Sequence, residues 1–216
     1  MAQSQLYLIG TVHVDVKGPV RLKKLLNFLQ PQNVVIEADL RGAKLSQQML
    51  GLLSSTAGFD NAVEGYIKFY KGANPETVKR VLKIASFEYF VCKEYCESMS
   101  IPLYLADKLD WKWYRTQMAN PESEISRDLA KHLRMTPTGL ARRVTQYYNG
   151  KLGQISAALL TEYIQRENSI GLKARSLEGK VATITGLRHS HGTNSLYERL
   201  SDLSPTRLTL LDADKL

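Results

Sequence analysis

Two histidines stand three residues after a glycine, near opposite ends of the chain. Gly10 precedes His13 in the segment GTVH, and Gly186 precedes His189 in the segment GLRH. Each motif follows a short apolar segment that is typical of a buried strand. Parallel strands place their carboxyl ends at one edge of a sheet, and ligands of open α/β sheets bind at that edge. We therefore expect the two imidazoles to lie close together, in reach of one ligand or ion.

An acidic residue ends the second strand predicted after each motif. Glu37 ends NVVIE and Asp212 ends RLTLLD, and they follow their motif glycines by 27 and 26 residues. The matched spacing predicts a β-α-β unit repeated at the two ends of the chain. Two imidazoles and a carboxylate often bind a divalent transition metal, so the candidate metal ligands are His13, Glu37, His189 and Asp212. The same groups could instead form a general base with orienting acids and no metal.

Further candidates for catalysis lie between the two motifs. Asp107 follows the third predicted strand, PLYLA. Asp107, Asp212 or Glu37, if Glu37 is not a metal ligand, could take a proton from water. Arg115, in the aromatic-rich segment 109–118, and Arg166, on a later predicted helix, could stabilise a negative oxygen. The glycines before the histidines predict a tight turn off each strand and leave room for a close approach. The histidines elsewhere in the chain, His132 and His191, are expected at the surface.

The apolar patterns place these residues in an α/β fold with a central, mainly parallel sheet. We expect one domain over residues 1–216, with residues 42–175 as a largely helical insertion that packs on the sheet, on itself or on a second copy. Strands 5–9 and 181–186 are expected to be neighbours. The predicted strands are 5–9, 33–37, 102–106, 181–186 and 207–212. The predicted helices are 19–29, 42–72 with glycine breaks, 76–99, 121–134, 138–148, 152–170 and about 193–203.

Composition excludes several classes of protein. The chain has 216 residues, of which 44% are hydrophobic and 23% charged, which excludes a disordered or low-complexity chain. No segment approaches the ~18 apolar residues that span a membrane, and no signal peptide is visible, so we expect a cytoplasmic protein. Cys92 and Cys96 are expected to be reduced and half-buried. The net charge of +8 suits an anionic partner.

The ordered motifs resemble the TraB/PrgY family. The segments GTVHVDVKG, NVVIEAD and GLRHSHG are similar to its two Gly-x-x-His motifs and to the acid that ends its second strand. In the middle of the chain, Arg115 and Arg166 match family arginines, whereas Lys108 stands where an arginine is usual. In YIQREN, Gln165 and Asn168 depart from the acids of the family pattern. The resemblance covers roughly residues 5–212.

The resemblance implies the leading hypothesis for function. The wider group includes Tiki proteases, haem-binding ChaN-like proteins and erythromycin esterases, which implies a peptidase or amidase that depends on Mn, Co or Zn. The esterases imply hydrolysis with a histidine base and possible independence from metal. The substrate would be a peptide or small molecule. The alternative is a binding module, without turnover, for a peptide or a haem-like ligand.

Two further expectations concern partners. Aromatic residues that alternate with lysines in YIKFY, residues 66–70, predict an interface, and we expect a homodimer. A nucleic-acid-binding protein is a less favoured option, based on the charge and on aromatics beside basic residues.

Overall fold

The computed structural model describes residues 5–152, 156–192 and 194–216. Within them, five strands form one parallel sheet in the order β3-β2-β4-β1-β5. The α/β class and the parallel sheet are therefore confirmed. The strands are β1 (Gln5–Thr11), β2 (Asn33–Ile36), β3 (Leu103–Leu105), β4 (Lys180–Gly186) and β5 (Thr206–Thr209).

Helices cover both faces of this sheet, and most of them come between β2 and β4 in the sequence. The α-helices are α1 (Gly18–Leu29), α2 (Leu40–Leu53), α3 (Thr56–Phe69), α4 (Pro75–Lys83), α5 (Phe87–Met99), α6 (Trp111–Ala119), α7 (Glu124–Leu133), α8 (Pro137–Tyr148), α9 (Ala157–Arg175), α10 (Leu187–His191) and α11 (Leu196–Arg199). Two 3₁₀-helices follow, η1 (Ser201–Leu203) and η2 (Leu210–Lys215). No helix in the described ranges is both long enough and apolar enough to cross a membrane. The predicted helices 152–170 and 193–203 both include positions outside the described residues.

The two β-α-β units interlock at the centre of the sheet. The connection from β1 to β2 passes over β4, and the connection from β4 to β5 passes over β1 in the opposite direction. Right-handed crossovers that run in opposite directions put their helices on opposite faces. Accordingly, α1 packs in a core with Ile9 and Ile184, whereas α11 packs in a second core with Leu8 and Val181. The chain thus reverses its direction of winding between β1 and β4, where α/β proteins bind ligands.

The strands that carry the two motifs are paired directly. β1 and β4 are parallel neighbours in register, with Thr11 opposite Gly186. β4 is the middle strand of the five and β1 lies beside it. The predicted adjacency of 5–9 and 181–186 is therefore confirmed. The glycines of the two motifs lie within one residue of each other along the paired strands.

Several predicted elements have different limits in the structure. The helix predicted over 42–72 is α2 and α3, which part at Ser54 and Ser55 and not at a glycine, and α6 was not predicted. The helix predicted over 76–99 is two helices, because Ser86 has a left-handed conformation with φ of 58°. Its halves enter different cores: Val78 and Leu82 pack beside α3 and α7, whereas Phe87 packs against α1 near the sheet. One straight helix would bury only one of these sets.

The last strand is also shorter than predicted, and it does not reach Asp212. β5 ends at Thr209, where η2 begins. The Asp212 carboxylate accepts the backbone N–H of Thr209 at 2.8 Å, and the two residues form a capping box. This local pairing turns the chain out of the sheet.

The aromatic segment 66–70 is largely used inside the chain. Tyr70 is buried with Val63 and Leu133, and Tyr66 packs against the same core. Phe69 remains 42% exposed. Most of the aromatic surface that suggested a homodimer is therefore covered by the chain itself.

A buried polar network holds the loop after β1. Asp15 accepts hydrogen bonds from Arg21 Nη1 at 3.0 Å and from the Tyr148 hydroxyl at 3.1 Å. The Tyr148 oxygen in turn accepts the N–H of Val12 at 3.2 Å, and Arg21 also binds Asp214. Helices α1 and α8 and the last turn of the chain are thereby joined to the loop that carries His13.

Gly10 lets α10 lie directly on β1. A Cβ atom at Gly10 would stand 2.4 Å from Ser190 Oγ and 2.6 Å from Leu187 Cδ1. Gly51, in the middle of α2, has nothing within 4 Å of its Cβ position. The two glycines therefore differ in the space available to a methyl group.

We predict opposite effects of alanine at these two positions. Gly10→Ala should lower the free energy of unfolding by about 1–3 kcal/mol through overpacking. Gly51→Ala should raise it by up to about 1 kcal/mol, because alanine favours the helix interior. Chemical denaturation of both variants measures this difference. Equal effects would show that the close packing of α10 on β1 is not as described.

Candidate active site

The carboxyl ends of four strands bring the predicted site residues together. His13 lies two residues after β1, Glu37 directly follows β2, Asp107 lies two residues after β3, and His189 lies within α10 just after β4. A Cβ atom at Gly186 would stand 3.3 Å from His13 Nε2 and 3.7 Å from His189 Cδ2. The two imidazoles therefore lie within about 7 Å of each other by the triangle inequality, in agreement with the expected closeness.

Gly186 serves the site by leaving space. Its φ is −54°, which any residue adopts, so the glycine is needed here for the predicted close approach and not for a positive φ. A Cβ there would also be 3.5 Å from Glu37 Oε2, beside the contacts with the two histidines. Three side chains of the site thus crowd against this backbone, and the chain begins α10 immediately afterwards.

Glu37 is the buried centre of the site. Its Oε2 accepts the backbone N–H of Gly186 at 2.7 Å, and its Oε1 accepts Arg166 Nη2 at 2.5 Å. His189 Nε2 lies 3.2 Å from the same Oε1. Burial alone would raise the pKa of Glu37, but the charges of His189 and Arg166 outweigh it and hold this pKa well below its ordinary value. Glu37 is therefore ionised and already engaged.

Arg166 joins Glu37 to Asp107. The guanidinium, on α9, donates from Nε and Nη2 to the two oxygens of Asp107 at 2.9 and 2.7 Å. Burial opposes its charge, yet Glu37 and Asp107 raise the pKa of Arg166 further. Two of the three guanidinium nitrogens are therefore committed, and Nη1 has no hydrogen-bond partner among the described side chains.

His189 is enclosed between two carboxylates and an aromatic ring. It is 2% exposed and stacks on Tyr163, with ring centroids 4.3 Å apart and planes 13° apart. Its Nδ1 lies 3.4 Å from Glu167 Oε1 and forms no hydrogen bond. Burial would lower the pKa of His189, but Glu37 above all raises it. Arg199 holds Glu167 from the other side at 3.1 Å.

His13 is the accessible imidazole of the pair. Its side chain is 67% exposed, and its Nδ1 lies 2.7 Å from Glu88 Oε1. The Thr11 hydroxyl donates to the same oxygen at 2.9 Å and fixes the carboxylate. The charge of Glu88 is the main cause that raises the pKa of His13 to about 9. With Nδ1 held, Nε2 faces the space above Gly186.

The sequence analysis did not identify three residues of the site, which are Tyr163, Glu167 and Glu88. Tyr163 and Glu167 share one face of α9 with the predicted Arg166, at positions i, i+4 and i+3, so helical spacing from Arg166 could have identified them. Glu88 lies 75 residues from His13 in the sequence, and no local pattern connects them.

Two predicted residues do not join the site. Asp212 accepts hydrogen bonds from the Thr209 N–H and, at 2.7 Å, from Lys215 Nζ. Its carboxylate is held in the capping box at the start of η2 and therefore does not reach the site. Arg115 is exposed, and its Nε donates to the Trp111 carbonyl oxygen of its own helix at 3.4 Å. His132 is a further correction, because it is buried and its Nε2 bonds the Tyr147 hydroxyl at 2.9 Å.

The donor groups do not form a metal site in this arrangement. Within the part of the chain that the structure describes, no three His, Cys, Asp or Glu side chains are grouped to hold a metal ion. Both oxygens of Glu37 accept N–H groups, and the Arg166 cation lies against one of them. A divalent ion would have to displace that cation, so these residues do not fit the predicted ion.

A large cleft opens over the site. Its volume is about 1950 Å³, and His13, Glu37 and His189 lie at its base. Its aromatic lining includes Trp113 and Tyr114 of α6. Apolar, basic and acidic side chains from the helices that lie between β2 and β4 in the sequence line the rest, so part of the predicted insertion forms walls of the same cleft as the histidines.

In comparisons with family models, with curated proteins and with solved structures, nothing matches this chain. The resemblance to the TraB/PrgY family therefore stays a prediction. The geometry described above is what supports a function.

We predict that Arg166→Met strongly destabilises the protein at neutral pH. It would leave two buried carboxylates without their cation, and the expected cost is about 3–5 kcal/mol. The control is Arg175→Met on the same helix, whose pair with Asp202 is largely exposed and should be worth under about 1 kcal/mol. Urea denaturation measures both.

The same variant should depend on pH in a defined direction. Arg166 helps to lower the pKa of Glu37, so the wild-type protein gains stability from this ionised group above about pH 4.5 and loses it as the pH falls. The difference between Arg166→Met and the wild type should therefore shrink in acid. A constant difference from about pH 5 down to pH 2 would contradict the ion cluster.

We also predict that Glu88→Gln lowers the pKa of His13 from about 9 toward 6.5, because it removes the charge that stabilises the imidazolium. Titration of the His13 ring by NMR measures the change. His191 is the internal control, because burial is the main cause that lowers its pKa to about 4. An unchanged pKa for His13 would show that Glu88 is not its partner in solution.

Proposed function

We propose that this protein is a hydrolase of amide or ester bonds in which His13 is the general base. The supporting observation is the pairing of an exposed imidazole with a fixed carboxylate, Glu88, at the base of a large cleft. Glu88 holds Nδ1–H of the neutral ring, which leaves the lone pair of Nε2 for a proton of water. The other histidine is too enclosed for this role.

The buried groups would prepare the site for this reaction. His13 Nε2 removes a proton from water, and the resulting hydroxide attacks the substrate carbonyl carbon. Arg166 Nη1, which bonds none of the described side chains, would donate to the negative oxygen of the tetrahedral intermediate. His13 then returns the proton to the leaving nitrogen or oxygen. Glu37 and Asp107 are positioning residues here, because both hold Arg166.

Metal dependence remains a separate prediction, and one assay tests it. The reaction proposed for His13 continues in the presence of a chelator, whereas the metal-dependent reaction implied by the resemblance needs Mn, Co or Zn restored after chelation. A panel of peptide amides and activated esters, with and without chelator and each metal, distinguishes the two. Absence of hydrolysis under all conditions would favour the non-catalytic binding module. Sedimentation tests the predicted homodimer.

We predict that His13→Gln lowers kcat/KM by about 10²–10⁴-fold, the usual contribution of general acid–base catalysis. The fold should be unaffected, because the side chain is largely exposed. His191→Gln is the matched control and should keep its activity. In the wild type, kcat/KM should rise as the pH approaches about 9, because His13 must lose its proton. A His13→Gln variant that retains wild-type activity would contradict the proposal.

A further inference from the structure

Three exposed cations line the cleft and have neither an ion pair nor a side-chain hydrogen bond within the described part of the chain. Arg127 and Lys131 are four residues apart on α7, and Arg142 is on α8. Residues four apart share one face of a helix, so Arg127 and Lys131 project together. Arg134 and Arg143 also line the cleft, but they already donate hydrogen bonds, to the Lys71 carbonyl oxygen and to Gln146 Oε1. These three cations are therefore a source of positive potential that the fold itself does not use.

A different helix lines the cleft with apolar side chains. Leu45, Met49 and Leu52 of α2 occur at positions i, i+4 and i+7, and all three line the cleft. Leu45 is 41% exposed and Leu52 is 59% exposed, and Ala43 is the one buried residue described for this helix. Contiguous apolar surface that the chain leaves uncovered marks a binding site.

The size of the cleft indicates an extended ligand. Pockets for small molecules usually measure about 300–1000 Å³, and this cleft measures about 1950 Å³. The cations lie along two helices and do not surround one point, which suits several anions spaced along a chain. The cleft also contains the acids Glu124 and Asp128. The apolar face of α2 disfavours a continuous phosphate backbone.

We infer that the substrate is an acidic peptide that alternates carboxylates with apolar side chains. Its carboxylates contact Arg127, Lys131 and Arg142, its apolar side chains contact α2, and its scissile bond reaches His13. This inference rests on the proposed function, since it names the substrate of the same site. It identifies a specificity surface on α7 and α8 that is distinct from the catalytic groups.

Binding and turnover of labelled peptides test this inference separately. The probe is a short fluorescent peptide in which Glu and Leu alternate, compared with the same peptide carrying Gln in place of Glu. The variant Arg127→Glu/Lys131→Glu should weaken binding of the Glu peptide at least about tenfold, because like charges then face each other. It should leave the weaker binding of the Gln peptide unchanged. Added salt should weaken binding of the Glu peptide alone.

The matched control makes the same change in net charge outside the cleft. Lys44→Glu/Lys68→Glu reverses two exposed lysines that do not line it, and it should bind both peptides as the wild type does. All reversed side chains are exposed, and thermal unfolding verifies the fold of each variant. Equal losses in the two double variants, or equal wild-type affinity for the Glu and Gln peptides, would overturn the inference.

Two further outcomes separate the inference from the proposed function. Charge-dependent binding without cleavage of any peptide would support the acidic-peptide surface and contradict the proposed hydrolase function. Cleavage of the Gln peptide with the same KM as the Glu peptide would support the proposed hydrolase function and contradict the acidic-peptide surface. A labelled single-stranded oligonucleotide is the third probe. Tighter binding of the oligonucleotide than of the Glu peptide, lost in Arg127→Glu/Lys131→Glu, would assign the basic surface to nucleic acid instead.

Discussion

The buried contact of Arg166 with Glu37 and Asp107 is the interaction on which the site depends. Glu37 follows β2, Asp107 follows β3 and Arg166 belongs to α9, so one guanidinium connects two sheet strands to a helix of the connecting region. A buried ion pair is weak as a source of net stability, but breaking it is costly. The contact therefore serves to fix the position of α9 on the sheet, because both carboxylates bind Arg166 only when the helix is in that position. Tyr163 and Glu167 reach His189 only in that position.

The two histidines look equivalent in the sequence but have different environments. His189 is buried, stacked and flanked by acids, whereas His13 is exposed and held on one nitrogen alone. The difference follows from what comes after each strand. The chain enters a helix directly at Gly186, which folds His189 inward, but it forms an irregular loop after Thr11. That loop is fixed by Asp15 and Tyr148 and leaves His13 facing the cleft.

Sequence patterns predicted the frame of the molecule better than its details. Apolar strand segments and the matched Gly-x-x-His motifs predicted a parallel sheet with β1 beside β4, and therefore the meeting of His13, His189 and Glu37. They did not predict Asp212 correctly, because a capping box competes with strand extension over a few residues. They also could not identify Glu88, since its contact with His13 is a tertiary one across 75 residues. Cavity walls such as α2, α7 and α8 depend on packing between helices, which periodicity alone does not determine.

The position of β1 in the sheet has a consequence for how the protein is made. β1 is the first strand in the sequence, but it pairs only with β4 and β5 among the described strands, and β4 begins about 175 residues later. At roughly 5–20 residues per second, a ribosome needs about 9–35 s to synthesise that interval. During this time, β1 has both edges unpaired and its apolar side chains uncovered, a state prone to wrong pairing. The strand that leads to His13 therefore stays open to wrong pairing until β4 has been synthesised.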